Sequence, residues 1–187
     1  MSTLKIGILG ASGRMGGALM QTAPSFERLH IIALQSRQKP TFIPPNASWY
    51  PHAADIFKVA DVILDFSHES LLQAHLQANK RFHKPFLLGV TGFQTPPDAM
   101  LKKAAAHAPI LRAPNTSIGL ALLKRAAFDA TRLLGEPCHI RLSETHHVHK
   151  KDAPSGAALS IAESIQAAQQ EAGLHLKKIV TAQDQET

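Results

Sequence analysis

Leu4-Lys-Ile-Gly-Ile-Leu-Gly-Ala-Ser-Gly-Arg-Met-Gly16 is the stretch that decides the fold. Its first part, Leu4 to Leu9, is a short apolar run with β-branched members and reads as a buried strand. Glycines at 10, 13 and 16 come at once after it, and then a helical stretch to Ala23 that Pro24 stops. Glycines so spaced between a strand and a helix form a dinucleotide-binding signature. Gly10 permits the tight turn, Gly13 lets the backbone approach a pyrophosphate, and Gly16 lets the helix pack on the sheet. The helix N-terminus then offers N–H groups and its dipole to the phosphates. Glycines also mark plain turns, so the weight rests on the strand–loop–helix context and on the pattern of the remaining chain.

Outward from that stretch, His30 to Leu34 reads as the second strand. An acidic residue at its end would hydrogen-bond the 2′-hydroxyl of NAD. This chain has Gln35, Ser36 and Arg37 there. No carboxylate repels a 2′-phosphate and Arg37 is near enough to bind one, so NADPH is favoured, with NADH as the alternative; the bland reading is an arginine pointing to solvent. Lys39 to Pro51 reads as a surface loop holding the only Trp and Tyr. Asp61 to Phe66 is a further strand, and Ser67 is placed to cap a helix from His68 to about Phe82. Pro85 to Val90 is a strand ending in Gly89-Val90-Thr91-Gly92-Phe93, and Pro97 opens a helix to about His107. Pro109 to Ala113 is a strand ending in Pro114-Asn115-Thr116-Ser117. A helix from Ile118 to Leu134 comes next, ended by Gly135. This alternation predicts an α/β fold with a Rossmann-like doubly wound parallel sheet. Ligands of such sheets bind at the carboxyl ends of the strands. Gly10–Gly16, Gln35–Arg37, Ser67, Gly89–Phe93 and Ala113–Thr116 all fall there.

The chain has 187 residues, 44% of them hydrophobic and 18% charged, the composition of a globular protein. Its net charge of +6 favours anionic partners, a nucleotide or a dicarboxylate, and fits nucleic acid as well. Aromatic residues for base stacking are scarce, at 5%. Cys138 is the only cysteine, which excludes an internal disulfide. No apolar run reaches membrane-spanning length, and the first strand begins without a signal peptide before it. The expectation is a soluble, cytoplasmic protein.

A second stretch carries the chemistry: Glu144-Thr-His-His-Val-His-Lys-Lys-Asp-Ala-Pro-Ser-Gly156. Ahead of it, His139 to Ser143 alternates like a strand, with Ile140 and Leu142 on one face. After it, Ala157 to Ala168 has helical spacing, with Ser155 as N-cap and Pro154 fixing the entry. A cationic loop therefore leads into a helix N-terminus. The N–H groups of Gly156, Ala157 and Ala158 are expected to point into the space the cations surround, a receptor for carboxylates or phosphates. His147 and His149 could face one way, but no cysteine or acid stands at ligand spacing beside them, and no metal site is expected.

These motifs resemble the 4-hydroxy-tetrahydrodipicolinate reductase (dihydrodipicolinate reductase) family of bacterial and plant lysine biosynthesis. The resemblance rests on Gly10-Ala-Ser-Gly-Arg-Met-Gly16, Asp65-Phe-Ser67, Gly89-Val-Thr-Gly-Phe93, Ala113-Pro-Asn-Thr-Ser117 and, most specifically, Glu144 to Gly156. It implies an NAD(P)H-dependent reduction, in the diaminopimelate route to lysine, that yields tetrahydrodipicolinate with loss of water from the hydroxy precursor. It implies catalytic roles for His146, the acid/base residue, and Lys150, a proton donor. His147, Ser155, Gly156 and Ala157 would contact the substrate carboxylates. Gly10, Ala11, Ser12, Gly13, Arg14, Met15, Gly89, Val90, Thr91, Ala113, Pro114, Asn115 and Thr116 would contact the cofactor, with Gln35 and Arg37 at its ribose. The implied partners are a small dicarboxylate and further copies of the chain in a homotetramer, with neither nucleic acid nor membrane.

Two departures accompany the resemblance. Ala157 stands where the family usually has Thr, which removes a hydroxyl contact to the substrate. Leu176 to Ala182 reads as a single further strand where family members continue through several. The expected organisation is a dinucleotide-binding domain over 1–116 and a partial α+β substrate and oligomerisation domain over 117–187, incomplete at its C-terminal end. The competing readings are a truncated, non-catalytic nucleotide-binding remnant of that family and a basic nucleic-acid-binding protein.

Overall fold

The structure, a computed structural model, describes residues 3–135, 139–145 and 154–175. It divides into two units, Met1–Pro114 and Asn115–Thr187.

The first unit is a six-stranded, wholly parallel sheet. Its strands are β1 (Leu4–Leu9), β2 (Leu29–Gln35), β3 (Ser48–Tyr50), β4 (Val62–Asp65), β5 (Phe86–Leu88) and β6 (Ile110–Arg112), in spatial order β3-β2-β1-β4-β5-β6. The chain winds outward from β1 to β3, returns, and winds outward again through β4 to β6. The switch point thus lies between β1 and β4, where Ile6 pairs with Val62 and Leu9 with Asp65. Helices α1 (Arg14–Thr22), α2 (Ala53–Val59), α3 (Leu72–Phe82) and α4 (Asp98–Ala105) connect the strands.

Two apolar clusters cover the sheet. Ile6, Ile8, Met20, Ile31 and Leu34 pack together, with α1 contributing Met20. Leu9, Ile56, Phe57, Ile63, Leu72, Leu76, Phe86, Leu88 and Leu101 form the larger cluster, drawn from α2, α3, α4 and the strands. Phe57 stacks on both Phe82 and Phe86 at 6.3 Å between ring centroids. Strands buried on both faces need near-continuous apolar sequence, and Ile8-Leu9 and Ile31-Ile-Ala-Leu34 supply it.

The expected doubly wound sheet is present, and four details differ from the sequence reading. The supposed surface loop ends in β3, held by pairing of Ala33 with Ser48 through Gln35 with Tyr50. Three residues ahead of Pro51 have no strand pattern of their own, so only the neighbouring strand makes them one. The short helix α2 is a second addition, anchored by fully buried Ile56 and Phe57. The helix after β1 starts at Arg14, so Gly16 lies inside it. Ser67 does not cap the helix after β4. A 3-10 turn over Glu69–Leu71 comes first, and the His68 side chain accepts from the Ser70 N–H there.

In the second unit the described elements are two helices, α5 (Ile118–Leu134) and α6 (Gly156–Glu171). Ser117 caps α5 through the Leu120 N–H, and Gly135 ends it with a positive φ of 72°. The helices run side by side in the same direction. The Ser164 hydroxyl donates to the Lys124 carbonyl at 3.2 Å, and Arg132 lies 3.8 Å from Glu171 further along. A cavity of about 140 Å³ between them is lined by Ala127, Thr131, Ile140, Ile165, Gln169 and Leu174, among others. The strand expected over His139 to Ser143 is not formed. Among the described residues of this unit no strand lies beside it to pair with, and Ile140 and Leu142 remain exposed. The strand expected over Leu176 to Ala182 lies outside the described residues. None of the described helices is long and apolar enough to cross a membrane.

Candidate functional site

The loops singled out in the sequence do end on one edge of the sheet. In a wholly parallel sheet every strand delivers its following loop to the carboxyl edge, and the loops after β1, β2, β4, β5 and β6 are those that carry the motifs.

The turn after β1 is built by three glycine-dependent contacts. Gly10 has φ +81°, a conformation that side-chain-bearing residues rarely adopt. Its N–H and that of Ala11 both donate to the Gln35 carbonyl, at 2.8 and 3.0 Å, which pins the turn to the end of β2. The Gly13 N–H donates back to the Gly10 carbonyl at 3.0 Å. A Cβ on Gly16 would stand 2.6 Å from that same carbonyl oxygen and from the Ala11 Cα. Gly16 is therefore required by the turn itself, where the sequence reading assigned it to helix–sheet packing. Gly13 is the N-cap of α1 and brings no side chain, so no side-chain hydrogen bond caps the helix. Ser12, Gly13, Arg14 and Met15 are all exposed, while Ala11 is buried. The first N–H groups of α1 thus open outward at the switch point, as an anion receptor requires.

At the end of β2, the Gln35 side chain turns away to the Pro51 carbonyl, donating at 3.4 Å. The Gln35 contribution to the turn is its backbone carbonyl. Ser36 is buried with its hydroxyl donating to the Gln38 carbonyl at 2.6 Å, and Arg37 is exposed. Among the described residues Arg37 has no hydrogen-bonding or ion-pair partner, so its guanidinium is available to a phosphate.

The loop after β4 holds the part that sequence reasoning missed. Asp65 is fully buried, and its Oδ2 lies 2.7 Å from Nδ1 of His75 on α3. Its Oδ1 accepts from both the N–H and the hydroxyl of Ser67, at 2.9 and 2.6 Å. Asp65-Phe-Ser67 was visible as a motif, but nothing in the sequence tied His75 to it. A histidine on the buried face of α3, three residues after Leu72 and four before Asn79, was the available signal.

After β5, Gly89 lies against the Phe66 ring, where a Cβ would collide with it. The Gly89 N–H donates to the Asp65 carbonyl at 2.9 Å. Val90 is buried and Thr91 exposed. After β6, the Ala113 N–H donates to the Leu88 carbonyl at 2.8 Å, and Pro114 closes the first unit. Asn115 and Thr116 belong to the second unit and are exposed. The Asn115 side-chain oxygen accepts from the Ser117 N–H at 2.7 Å.

In the second unit Ser155 is the N-cap of α6, with its Oγ accepting from the Ala158 N–H at 3.0 Å. Glu144, which stood in the sequence only as the start of the motif, closes this cap. Its Oε1 accepts from the Ser155 N–H at 2.7 Å and its Oε2 from the Ser155 hydroxyl. The sequence reading offered three N–H groups to a ligand. Ala158 is satisfied by the cap, which leaves Gly156 and Ala157. Ser155 is buried and its hydroxyl already engaged. His146, His147, His149 and Lys150 lie outside the described residues.

A parallel sheet wound both ways from a glycine turn, with an uncapped helix N-terminus at the switch point, defines the class of Rossmann-like dinucleotide-binding folds. The sequence matches the family models described as dihydrodipicolinate reductase, N-terminus, over residues 4–116, and dihydrodipicolinate reductase, C-terminus, over residues 119–186. The chain belongs to the dihydrodipicolinate reductase family. It is 35% identical over 158 residues to the 4-hydroxy-tetrahydrodipicolinate reductase of Zymomonas mobilis, covering 84% of this chain and 60% of that one. It is likewise 35% identical over 175 residues to the same enzyme of Pseudoalteromonas translucida, covering 88% of this chain and 65% of that one. The chain thus spans less than two thirds of the length of these relatives. Its fold is similar to that of dipicolinate-bound dihydrodipicolinate reductase from Paenisporosarcina sp. TG-14, with TM-score 0.72 and 20% identity over 99% of this chain and 72% of that one. Apo scyllo-inositol dehydrogenase from Lactobacillus casei shares the fold more loosely, with TM-score 0.53 and 14% identity over 69% of this chain and 42% of that one.

Proposed function

We propose that this chain carries out the NAD(P)H-dependent reduction of 4-hydroxy-tetrahydrodipicolinate to tetrahydrodipicolinate. The observation that carries the reading is the uncapped α1 N-terminus behind the Gly10 turn, in a chain whose two halves match the two parts of this reductase family. The residues fit a dinucleotide. Replacing Gly16 by any larger residue would fill the turn, and Ser12 to Met15 present exposed backbone to a pyrophosphate. Arg37 binds a 2′-phosphate where no acid opposes it, so NADPH is the preferred cofactor and NADH the second. Gly89 to Thr91 and Ala113 to Thr116 are carried over from the family motifs as further cofactor contacts.

When bound, the reduced nicotinamide supplies the hydride. The chain supplies the proton and the orientation. His146 and Lys150, carried over from the family motif, protonate the atom on which charge develops, as an imidazole or an ammonium near neutrality does. The Gly156 and Ala157 N–H groups, with His147, hold a substrate carboxylate at the N-terminus of α6, where the dipole favours negative charge. Ser155 acts from behind, by fixing that helix start. Assembly as a homotetramer and a place in the cytoplasm, with neither nucleic acid nor membrane as partner, belong to the same reading. The exposed Ile118, Leu122 and Leu133 side chains of α5 support assembly.

Titration of the chain with NADPH, with and without pyridine-2,6-dicarboxylate, followed by a turnover assay, tests it. Binding of both ligands and substrate-dependent oxidation of NADPH are expected. Binding of nucleotide alone without turnover would mark a non-catalytic remnant of the family, and binding of neither would overturn the reading.

A further inference from the structure

The first unit buries an ionisable pair under its ligand-binding edge. Asp65 is 0% and His75 3% exposed. Facing a carboxylate oxygen, the His75 Nδ1 is the donor across their 2.7 Å contact. With His75 and Ser67 both donating to it, the Asp65 carboxylate has a partner on each oxygen. The main chain ties the same spot to both neighbours. The Phe66 N–H donates to the Leu9 carbonyl of β1 at 3.0 Å, and the Gly89 N–H of the β5 loop donates to the Asp65 carbonyl at 2.9 Å.

The turn that this carboxylate holds is wedged between two glycines. The Phe66 carbonyl oxygen is 2.5 Å from where a Gly10 Cβ would stand, and the Phe66 ring occupies the space beside Gly89. Movement of Phe66–Ser67 by a fraction of an ångström would therefore press on the turn that opens α1 and on the loop after β5 together. His75 comes from the first turn of α3, eight residues after Ser67, and is buried away from the surface.

We propose that His75 is a positioning residue for the dinucleotide: by orienting Asp65 it fixes the Phe66–Ser67 turn, and through that turn the spacing of the Gly10 and Gly89 loops. This rests on the reading that a dinucleotide binds at those loops. A histidine that only filled the core would set thermal stability and leave nucleotide affinity alone. One that positions the loops sets both, because the buried Oδ2 of Asp65, deprived of its donor, must find another by moving.

The test compares the dissociation constant for NADPH with the melting temperature in the whole chain. His75→Leu removes the donor and is expected to weaken NADPH about tenfold, the worth of one buried charged hydrogen bond. His75→Asn restores an amide N–H near the Nδ1 position and is expected to recover affinity to within about threefold of the starting chain. Ser67→Ala removes the other side-chain donor from the surface side and is expected to cost about threefold with little change in melting. A folded His75→Leu chain with unchanged affinity, or a His75→Asn chain as weak as His75→Leu, overturns the proposal. If His75→Leu does not fold, unchanged affinity in Ser67→Ala overturns it and the expected loss supports it. An unaltered chain that binds no NADPH overturns the dinucleotide reading and this proposal together, whereas binding insensitive to all three variants overturns this proposal alone.

Discussion

The two units handle apolar sequence in opposite ways. Met1–Pro114 encloses a core of large side chains, with Ile8, Leu9, Ile56, Phe57 and Leu88 all 0% exposed. In Asn115–Thr187, α5 turns part of its surface to α6 and leaves Ile118 78%, Leu122 66% and Leu133 76% exposed. Those three fall on one stripe of the helix at spacings of four and eleven residues. The Arg125–Asp129 ion pair lies on the same stripe between Leu122 and Leu133, so these are open apolar side chains set apart by charge. The first unit therefore encloses its core, while α5 leaves large apolar side chains open among charged ones. For function, the loops at the carboxyl edge are anchored by backbone contacts within the first unit. The N-terminus of α6 in the second, by contrast, is held by one capping serine and one glutamate.

The sharpest way to break this contrast is a pair of truncations to alanine. Phe57→Ala should lower stability by about 3–5 kcal/mol, the usual cost of deleting an enclosed phenylalanine. Leu122→Ala on the open stripe should change it by less than about 0.5 kcal/mol. Denaturant unfolding measures both, and similar losses would show that the stripe is covered in solution.

The next contrast is between chemistry and binding. His146→Gln with Lys150→Ala should lower turnover by about a hundredfold or more, the worth of a positioned proton donor. NADPH affinity should hold, because the dinucleotide loops belong mainly to the first unit. A double variant with near-normal turnover would remove the cationic loop from the mechanism. Conversely, Arg37→Ala should weaken NADPH by about 1–3 kcal/mol relative to NADH while leaving turnover at saturation unchanged. Equal losses for both cofactors would show that Arg37 does not read the 2′-phosphate.

The smallest effect concerns pH within the first unit. Asp55, in the first turn of α2, accepts from Lys58 at 2.6 Å, and that hydrogen bond, with the Lys58 charge, holds its carboxyl below its ordinary value of 3.8. A lowered carboxyl contributes stability above its unfolded value and loses it as pH falls through the folded value. Asp55→Asn should therefore melt slightly lower than the parent chain near neutrality and together with it well below pH 3.8. A difference that persists in strong acid would assign the effect to something other than this ion pair.

Most of the first unit was legible because its strands and helices differ in pattern and its turns carry Gly or Pro. β1 and α5 were read with their observed bounds. β3 was not legible, since a three-residue strand between Pro45 and Pro51 exists only through its pairing with β2. Over His139 to Ser143 the error ran the other way. Alternation there is real, but alternation makes a strand only where a ladder receives it. In the site, the backbone-built features were readable because glycine is required for them. Asp65–His75 and Glu144–Ser155 were not, because each joins residues ten or more apart that only the fold brings together.

The margins of the sheet bear on how the protein behaves in a crowd. Its two outermost strands, Ser48–Tyr50 and Ile110–Arg112, have three residues each. Pro51 comes directly after the first, and Pro109 directly precedes the second. A proline has no N–H to offer a docking strand. Each margin therefore exposes about 10 Å of open backbone, at roughly 3.3 Å per residue. That is too little to template a stranger's strand, so the first unit should resist fibril-like stacking at high concentration even though its sheet never closes on itself.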